Sequence, residues 1–417
     1  MHHKKTGIVI FIRANPTPLR TIVFFGYVIS ALITVALNGC TTGGNASHQS
    51  ALGYSQYNRA DIKVPVSAIF GPDGRLWRVI STDDRVFVDV SKDYGKSFST
   101  PVMVNPERVP IRARSEYRAQ IMVDSNNRIY VAYPASGLQP WTTYLSYSVD
   151  QGRHFSPPEP LSDRARVANS FEAALVLDAE NRLYAFWHDE RESASEESGN
   201  SIYYSVLDST GKLPAANRKL VDGVCSCCRL AAGIDTDGQA VLLFRNIYSG
   251  NIRDLELMKA KTNGNRWTAT RASRDEWQIE ACPTHGPALA IDADGIYHMA
   301  WFTQGSIRKG IFYARSTNQG RDFSTPMPIG DGSRKLPGHP DVISLGQRVV
   351  LTWSEFDGAK TQIRIQQSKD GGQRWSQAAT IAESASESDF PHLLTDGQKI
   401  FLSWNSQLEG YRLIPID

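Results

Sequence analysis

Residues 119–133 read AQIMVDSNNRIYVAY, in which two short runs rich in β-branched and aromatic residues, Ile121–Val123 and Ile129–Tyr133, flank the polar stretch Asp124–Arg128. Apolar residues on both sides of an Asp/Asn-rich turn predict a tight antiparallel hairpin. The same pattern recurs as SAIFGPDGRLWRV from Ser67, AALVLDAENRLYAFW from Ala173, AAGIDTDGQAVLLF from Ala231, ALAIDADGIYHMAW from Ala288, DVISLGQRVVLTW from Asp341 and HLLTDGQKIFLSW from His392. Their turns, taken at Gly74, Asn127, Asn181, Gly238, Gly295, Gly346 and Gly397, are 53, 54, 57, 57, 51 and 51 residues apart. Most copies are followed by two more strand-like runs, for example IYYSVLD from Ile202. Four strands in each period of about 50 residues predict an all-β chain folded as a single β-propeller, with seven blades by repeat count and six as the alternative. The last repeat supplies only three clear strands, so residues 52–62 are expected to add the fourth and close the ring.

Composition agrees with this reading. The chain has 417 residues, of which 41% are hydrophobic and 21% charged, and its 32 Gly, 21 Pro, 9 Trp, 16 Tyr and 16 Phe favour a turn-rich β protein. Residues 1–39 carry Lys4, Lys5, Arg13 and Arg20 and no acid, so 41 of the 45 basic groups face all 43 acidic ones in the remainder. No basic stripe survives, which excludes nucleic acid as an expected partner.

A second motif falls late in the repeats: Ser91-Lys-Asp93-Tyr-Gly95-Lys-Ser-Phe98, Ser148-Val-Asp150-Gln-Gly152-Arg-His-Phe155, Ser316-Thr-Asn318-Gln-Gly320-Arg-Asp-Phe323 and Ser368-Lys-Asp370-Gly-Gly372-Gln-Arg-Trp375. A degenerate fifth copy keeps Gly264 and Trp267. These stretches resemble the Asp-box, or bacterial neuraminidase repeat, of the sialidase-like superfamily, and with the hairpins the resemblance covers roughly residues 60–417. In that superfamily the box is structural and lies away from the active face, so it implies a fold and no activity.

Catalytic sialidases hold the sugar carboxylate with three arginines, use a Tyr nucleophile assisted by a Glu, and protonate the leaving group with an Asp. Where their first Arg opens an Arg-Ile-Pro motif, this chain has Lys63-Val64-Pro65. Lys cannot offer a planar two-pronged contact to a carboxylate, so this departure weakens the parallel. The resemblance puts Asp83 or Asp84 in the acid position and lets Glu172 assist a Tyr. Arg118, Arg229, Arg245 and Arg253 are its candidates for binding an acidic glycan or small anion. Counting back six residues from the turn Asp independently gives Arg118, Glu172, Arg229 and Gly286 in the second to fifth repeats, Pro65 in the first when counted from Gly71, and positions near His339 and Asp389 in the last two, all at the expected channel mouth. There, buried charges need partners, which leaves two readings: a salt-bridge ring among Arg118, Glu172 and Arg229, or an anion-binding mouth. His188, His285, His339 and His392 fall in loops of the same face, where convergent histidines suggest acid–base or metal chemistry.

At the N-terminus, Thr21–Leu37 is an uncharged run of 17 residues leading to Asn38-Gly39-Cys40. It reads as an export signal, with a short transmembrane anchor as the alternative because about 17 residues is the lower limit for spanning a bilayer, and Leu37–Cys40 resembles the bacterial lipoprotein motif. That resemblance implies a signal over 1–39, a lipidated Cys40 and flexible tether over 40–51, and a propeller over 52–417 held as a monomer in the cell envelope. Thr41 in place of Asp points to the outer membrane.

Four cysteines then remain, Cys225, Cys227 and Cys228 in VCSCCRL and Cys282 in ACPTHGP, all in loops of adjacent repeats. An exported chain favours disulfides, one of which would staple the fourth blade to the fifth. The other two cysteines would then pair within Cys-Ser-Cys-Cys in a strained geometry. A thiolate site for zinc or copper(I) completed by His285, or a redox-active thiol pair, are the alternatives.

Overall fold

The computed structural model describes residues 62–136, 140–193, 199–207, 211–261, 266–330 and 336–417. The expected signal, Cys40, the expected tether and all but the last residue of the expected closing strand lie outside these residues. The described residues form seven antiparallel sheets in chain order, six of four strands and a last one of three, and no helix. We number the sheets as blades 1–7. Their innermost strands are Ser67–Phe70, Gln120–Val123, Ser170–Leu177, Ala231–Ile234, Ala288–Ile291, Leu336–Leu345 and His392–Thr395. Each packs beside the next, and the seventh returns to the first, which closes a seven-bladed ring.

The hairpin turns repeat one device. Asp124 accepts hydrogen bonds from the backbone N–H groups of Asn126 and Arg128 at 2.9 and 2.8 Å, and Asp178, Asp235 and Asp292 do the same two and four residues ahead of themselves. An Asp that satisfies its own turn specifies the hairpin through contacts local in sequence. The Asp-boxes are as regular. Ser91 Oγ donates to Asp93 and accepts from the Gly95 N–H at 2.8 Å, a pairing repeated at Ser148, Ser316 and Ser368. The box aromatics pack between blades: Phe155 lies against the core cluster shared by blades 1 and 2, and Trp375 of blade 6 meets Tyr313 of blade 5 at 4.8 Å between centroids. Phe98 of blade 1 meets Tyr411 of blade 7 at 5.8 Å, carrying the same contact across the closure.

Between the blades, apolar strand faces form the core. The second strands of blades 3, 5, 6 and 7 each bury a tryptophan completely, Trp187, Trp301, Trp353 and Trp404. Each indole N–H finds an oxygen, on Asp189, Asp275, Glu355 and the Asp389 carbonyl respectively, at 2.7–3.0 Å. Burying so large a ring without that partner would strand its only donor.

Candidate functional site

Two irregularities shape the channel mouth. In blade 3 the pairing slips between Phe186 and His188, and Glu172 sits in the slip with a φ of +54°. In blade 6 the register shifts between Gly338 and Asp341, with His339 at a φ of +51°. Such bulges re-aim a side chain that a regular strand would turn elsewhere. A third accommodation is Gly286, where a Cβ would collide with the Arg229 backbone, so only glycine lets the loop entering blade 5 approach Arg229.

The result is a cavity of about 180 Å³ lined by Arg118, Glu172, Arg229, Asp341, His392 and Tyr117, among others. The salt-bridge ring expected among the first three does not form. Arg118 instead crosses the ring to blade 7, donating to Asp389 Oδ1 at 2.9 Å and to the Val66 carbonyl at 3.2 Å, while Asp389 Oδ2 accepts the Val66 N–H at 2.9 Å. Arg229 donates to the Pro340 carbonyl at 3.0 Å. Asp341 accepts from the Leu393 N–H at 2.9 Å and lies 3.2 Å from His392 Nδ1.

Glu172 Oε1 accepts the Leu230 N–H at 3.0 Å, and its Oε2 has only His188 Nε2 nearby, at 3.6 Å. Burial pushes the Glu172 carboxyl well above its ordinary range, against the pull of Arg229. A carboxyl whose pKa is raised holds a proton more readily and is the better placed to donate it. Burial raises the pKa of the Tyr117 hydroxyl, and Tyr117 lines the same cavity as Glu172. Burial also drops His188 and His285 to about 4, so both are neutral at physiological pH.

Several buried polar atoms at this face have no hydrogen-bond partner among the described residues: Arg118 Nε, Arg229 Nη1, Glu172 Oε2, His188 Nδ1 and His285 Nδ1. Orphaned polar atoms are costly in a finished core and are expected where a ligand completes the set.

The remaining candidates are placed differently. Asp83 is 97% exposed at its side chain and pairs with Lys63 at 3.0 Å; Asp84 pairs with Arg108 at 2.8 Å. Neither lines the channel-mouth cavity. The position matching the first sialidase arginine is thus occupied by a lysine turned onto Asp83. Arg245 is withdrawn from ligand binding: its guanidinium is stacked on Trp277 and donates to the carbonyls of His285, Arg253 and Phe302. Arg253, with Nε on Asn251 at 2.8 Å, lines a wider cleft of about 830 Å³ on this face. That cleft shares Tyr117 with the channel-mouth cavity, and there Tyr117, Trp141 and Phe171 meet edge to face at 5.9–6.4 Å.

Cys227 and Cys282 form a disulfide with a Cα separation of 6.0 Å, joining the loop before blade 4 to the loop before blade 5. Cys225 and Cys228 do not pair within Cys-Ser-Cys-Cys; both are free and buried. His285 does not join the sulfurs, because its ring lies between Phe302 at 4.3 Å and His339 at 4.4 Å. The bulges were the feature sequence counting missed, since nothing in SFEAALVL or LPGHPDVISL marks a slip beyond the Pro and Gly of the second.

No family model matches the chain, and no curated protein does. Solved structures do resemble it in fold. The Hadza microbial sialidase Hz136 is 13% identical with a TM-score of 0.50, over 83% of this chain and 74% of that one. A polysaccharide lyase described as a PL25 ulvan lyase is 10% identical with a TM-score of 0.54, over 85% and 93%. The polysaccharide lyase Uly1 is 9% identical with a TM-score of 0.52, over 82% and 88%. At these identities the likeness is one of architecture, a propeller that other chains use to act on glycans.

Proposed function

We propose that this chain is a lipid-anchored cell-envelope propeller, held in the outer membrane through Cys40, that recognises an acidic glycan at the channel mouth and cleaves it in the manner of an exo-sialidase-like glycosidase. The observation that carries the reading is the set of unpartnered buried atoms on Arg118, Arg229 and Glu172 around one small cavity. Two guanidiniums suit a carboxylate, and a carboxyl whose pKa is raised by burial, facing the same space, suits the leaving-group oxygen. The half-buried Tyr117 and Trp141 rings of the neighbouring cleft supply apolar surface for further sugar rings. The glycan-acting neighbours in fold support this reading at the level of substrate class. Asp83, engaged with Lys63 outside the cavity, has no part in it, and Glu172 takes the acid role.

The test is turnover of the exported protein on a panel of sialosides and uronate-containing oligosaccharides, beside equilibrium binding of the same ligands. Glu172→Gln is expected to lower turnover on the order of 10²–10⁴-fold while leaving binding within a few-fold. Arg229→Met is expected to weaken binding roughly 10- to 100-fold, the scale of one lost hydrogen bond to a charged group. Wild-type protein that neither binds nor cleaves any acidic glycan would refute the proposal.

A further inference from the structure

The glycan reading leaves the thiols unused. Cys227 is committed to Cys282, whose side of the bridge is exposed, and with Ser226 the bridge forms part of the wall of the 830 Å³ cleft. Inside that wall Cys225 and Cys228 are 0% and 1% exposed and carry free thiols. The chain is read as exported, and in an oxidising compartment two free thiols three residues apart need a reason to stay unbridged.

Geometry supplies one. The sulfurs of Cys225, Cys227 and Cys228 lie within 4.8 Å of one another, and Cys225 Sγ is 3.9 Å from Cys227 Sγ. Two metal–thiolate bonds of about 2.3 Å each reach about 4.6 Å in all, so sulfurs gathered within that bound are near enough to share one ion. The donor set is all sulfur among the described residues, because His285 is held in its stack and His188 Nε2 is taken up by the Cys228 carbonyl at 3.2 Å. With Cys227 oxidised, two thiolates remain, whereas structural zinc requires four ligands. Thiolates in low number select a soft monovalent cation. Charge points the same way: a bis-thiolate holding a monocation keeps one negative charge, and Cys225 is tied to the Arg245 segment by its N–H donating to the Arg245 carbonyl at 2.9 Å, with the fully buried Arg245 guanidinium as a resident counter-charge.

We infer that Cys225 and Cys228 form a two-coordinate thiolate site for copper(I), walled from the cleft by the Cys227–Cys282 disulfide. Binding forms two sulfur–copper bonds and releases the two thiol protons, with no change in the oxidation state of metal or sulfur. The site does not depend on the glycan assignment, and neither fails with the other.

The experiment is anaerobic competition of the exported full-length protein against a chromophoric copper(I) chelator, with sulfur and copper content read by mass spectrometry. The expected result is one copper withdrawn per chain, lost or weakened at least a hundredfold in Cys225→Ser and in Cys228→Ser, and retained in the Cys227→Ser/Cys282→Ser double variant. X-ray absorption on the wild type, which needs no variant to fold, is expected to show two sulfur neighbours and no nitrogen. No copper uptake, uptake that survives either single serine, a coordination shell of three or four, a preference for zinc, or a Cys225–Cys228 disulfide in the anaerobically isolated protein would each overturn the inference.

Discussion

The two faces of this ring are built by opposite rules. On the turn face one local device recurs: Asp124, Asp178, Asp235 and Asp292 accept N–H groups of the turns that contain them, and Ser91, Ser148, Ser316 and Ser368 close their own Asp-boxes, with links such as Ser125–Asn181 added between neighbouring blades. On the channel-mouth face almost nothing is repeated. Arg118 finds its carboxylate 271 residues away, Arg229 reaches a carbonyl of blade 6, and polar atoms of both are left over. Local satisfaction gives a rigid, repetitive scaffold, and the other face can then carry unsatisfied groups because the scaffold does not need them.

The sharpest way to break this contrast is at Arg118. Replacing it with Met leaves Asp389 buried without its guanidinium, and the loss of one partner of a buried pair is expected to cost about 3–5 kcal/mol. Denaturant unfolding followed by tryptophan fluorescence measures it. A cost below about 1 kcal/mol would mean that Asp389 is sufficiently held by the Val66 and Phe390 N–H groups, and that the mouth is as locally satisfied as the turns.

A second, smaller effect is pH-dependent. His188 is buried and neutral, with its pKa lowered from 6.5 to about 4 by desolvation. The unfolded chain therefore binds a proton in that interval that the folded chain refuses. Stability from this residue is complete above about pH 6.5 and is lost as pH falls toward 4, on the order of 3 kcal/mol in all. Unfolding free energies at pH 7 and pH 4.5 for wild type and His188→Gln isolate this contribution, which should appear as a shallower acid loss in the variant. Equal losses in both proteins would show that His188 is solvated or charged in the fold.

The same contrast explains what could be read from the chain. Hairpins and Asp-boxes are legible because their hydrogen bonds close within four residues, and seven copies at a steady interval give the blade count. The mouth was legible as a set of positions, since counting back from each turn reaches Arg118, Glu172 and Arg229, which line one cavity. Their partners were not, because ring closure alone puts Asp389 against Arg118. Arg245 misleads for the same reason: only the folded loops bring the His285, Arg253 and Phe302 carbonyls to one guanidinium. Glu172 is aimed by a bulge, which depends on the opposite strand as much as on its own.

The smallest effect tests whether an Asp-box is local in energy as well as in the hydrogen bonds that close it. Gly95 and Gly152 hold the same box position with φ of +79° and +78°, yet a Cβ at Gly95 would meet nothing nearer than 3.5 Å, whereas one at Gly152 would lie 2.8 Å from the Trp77 ring of the preceding blade. The backbone penalty is common to both, about 1 kcal/mol for a left-handed non-glycine residue. Gly152→Ala must also move a buried tryptophan, so it should cost roughly 1–2 kcal/mol more than Gly95→Ala. Neither should alter ligand binding at the mouth. If the two alanines cost the same, Trp77 yields freely and each box is energetically private to its blade. If instead Gly152→Ala weakens glycan binding, the faces are coupled through the blade 1–blade 2 core, and the scaffold is part of the site.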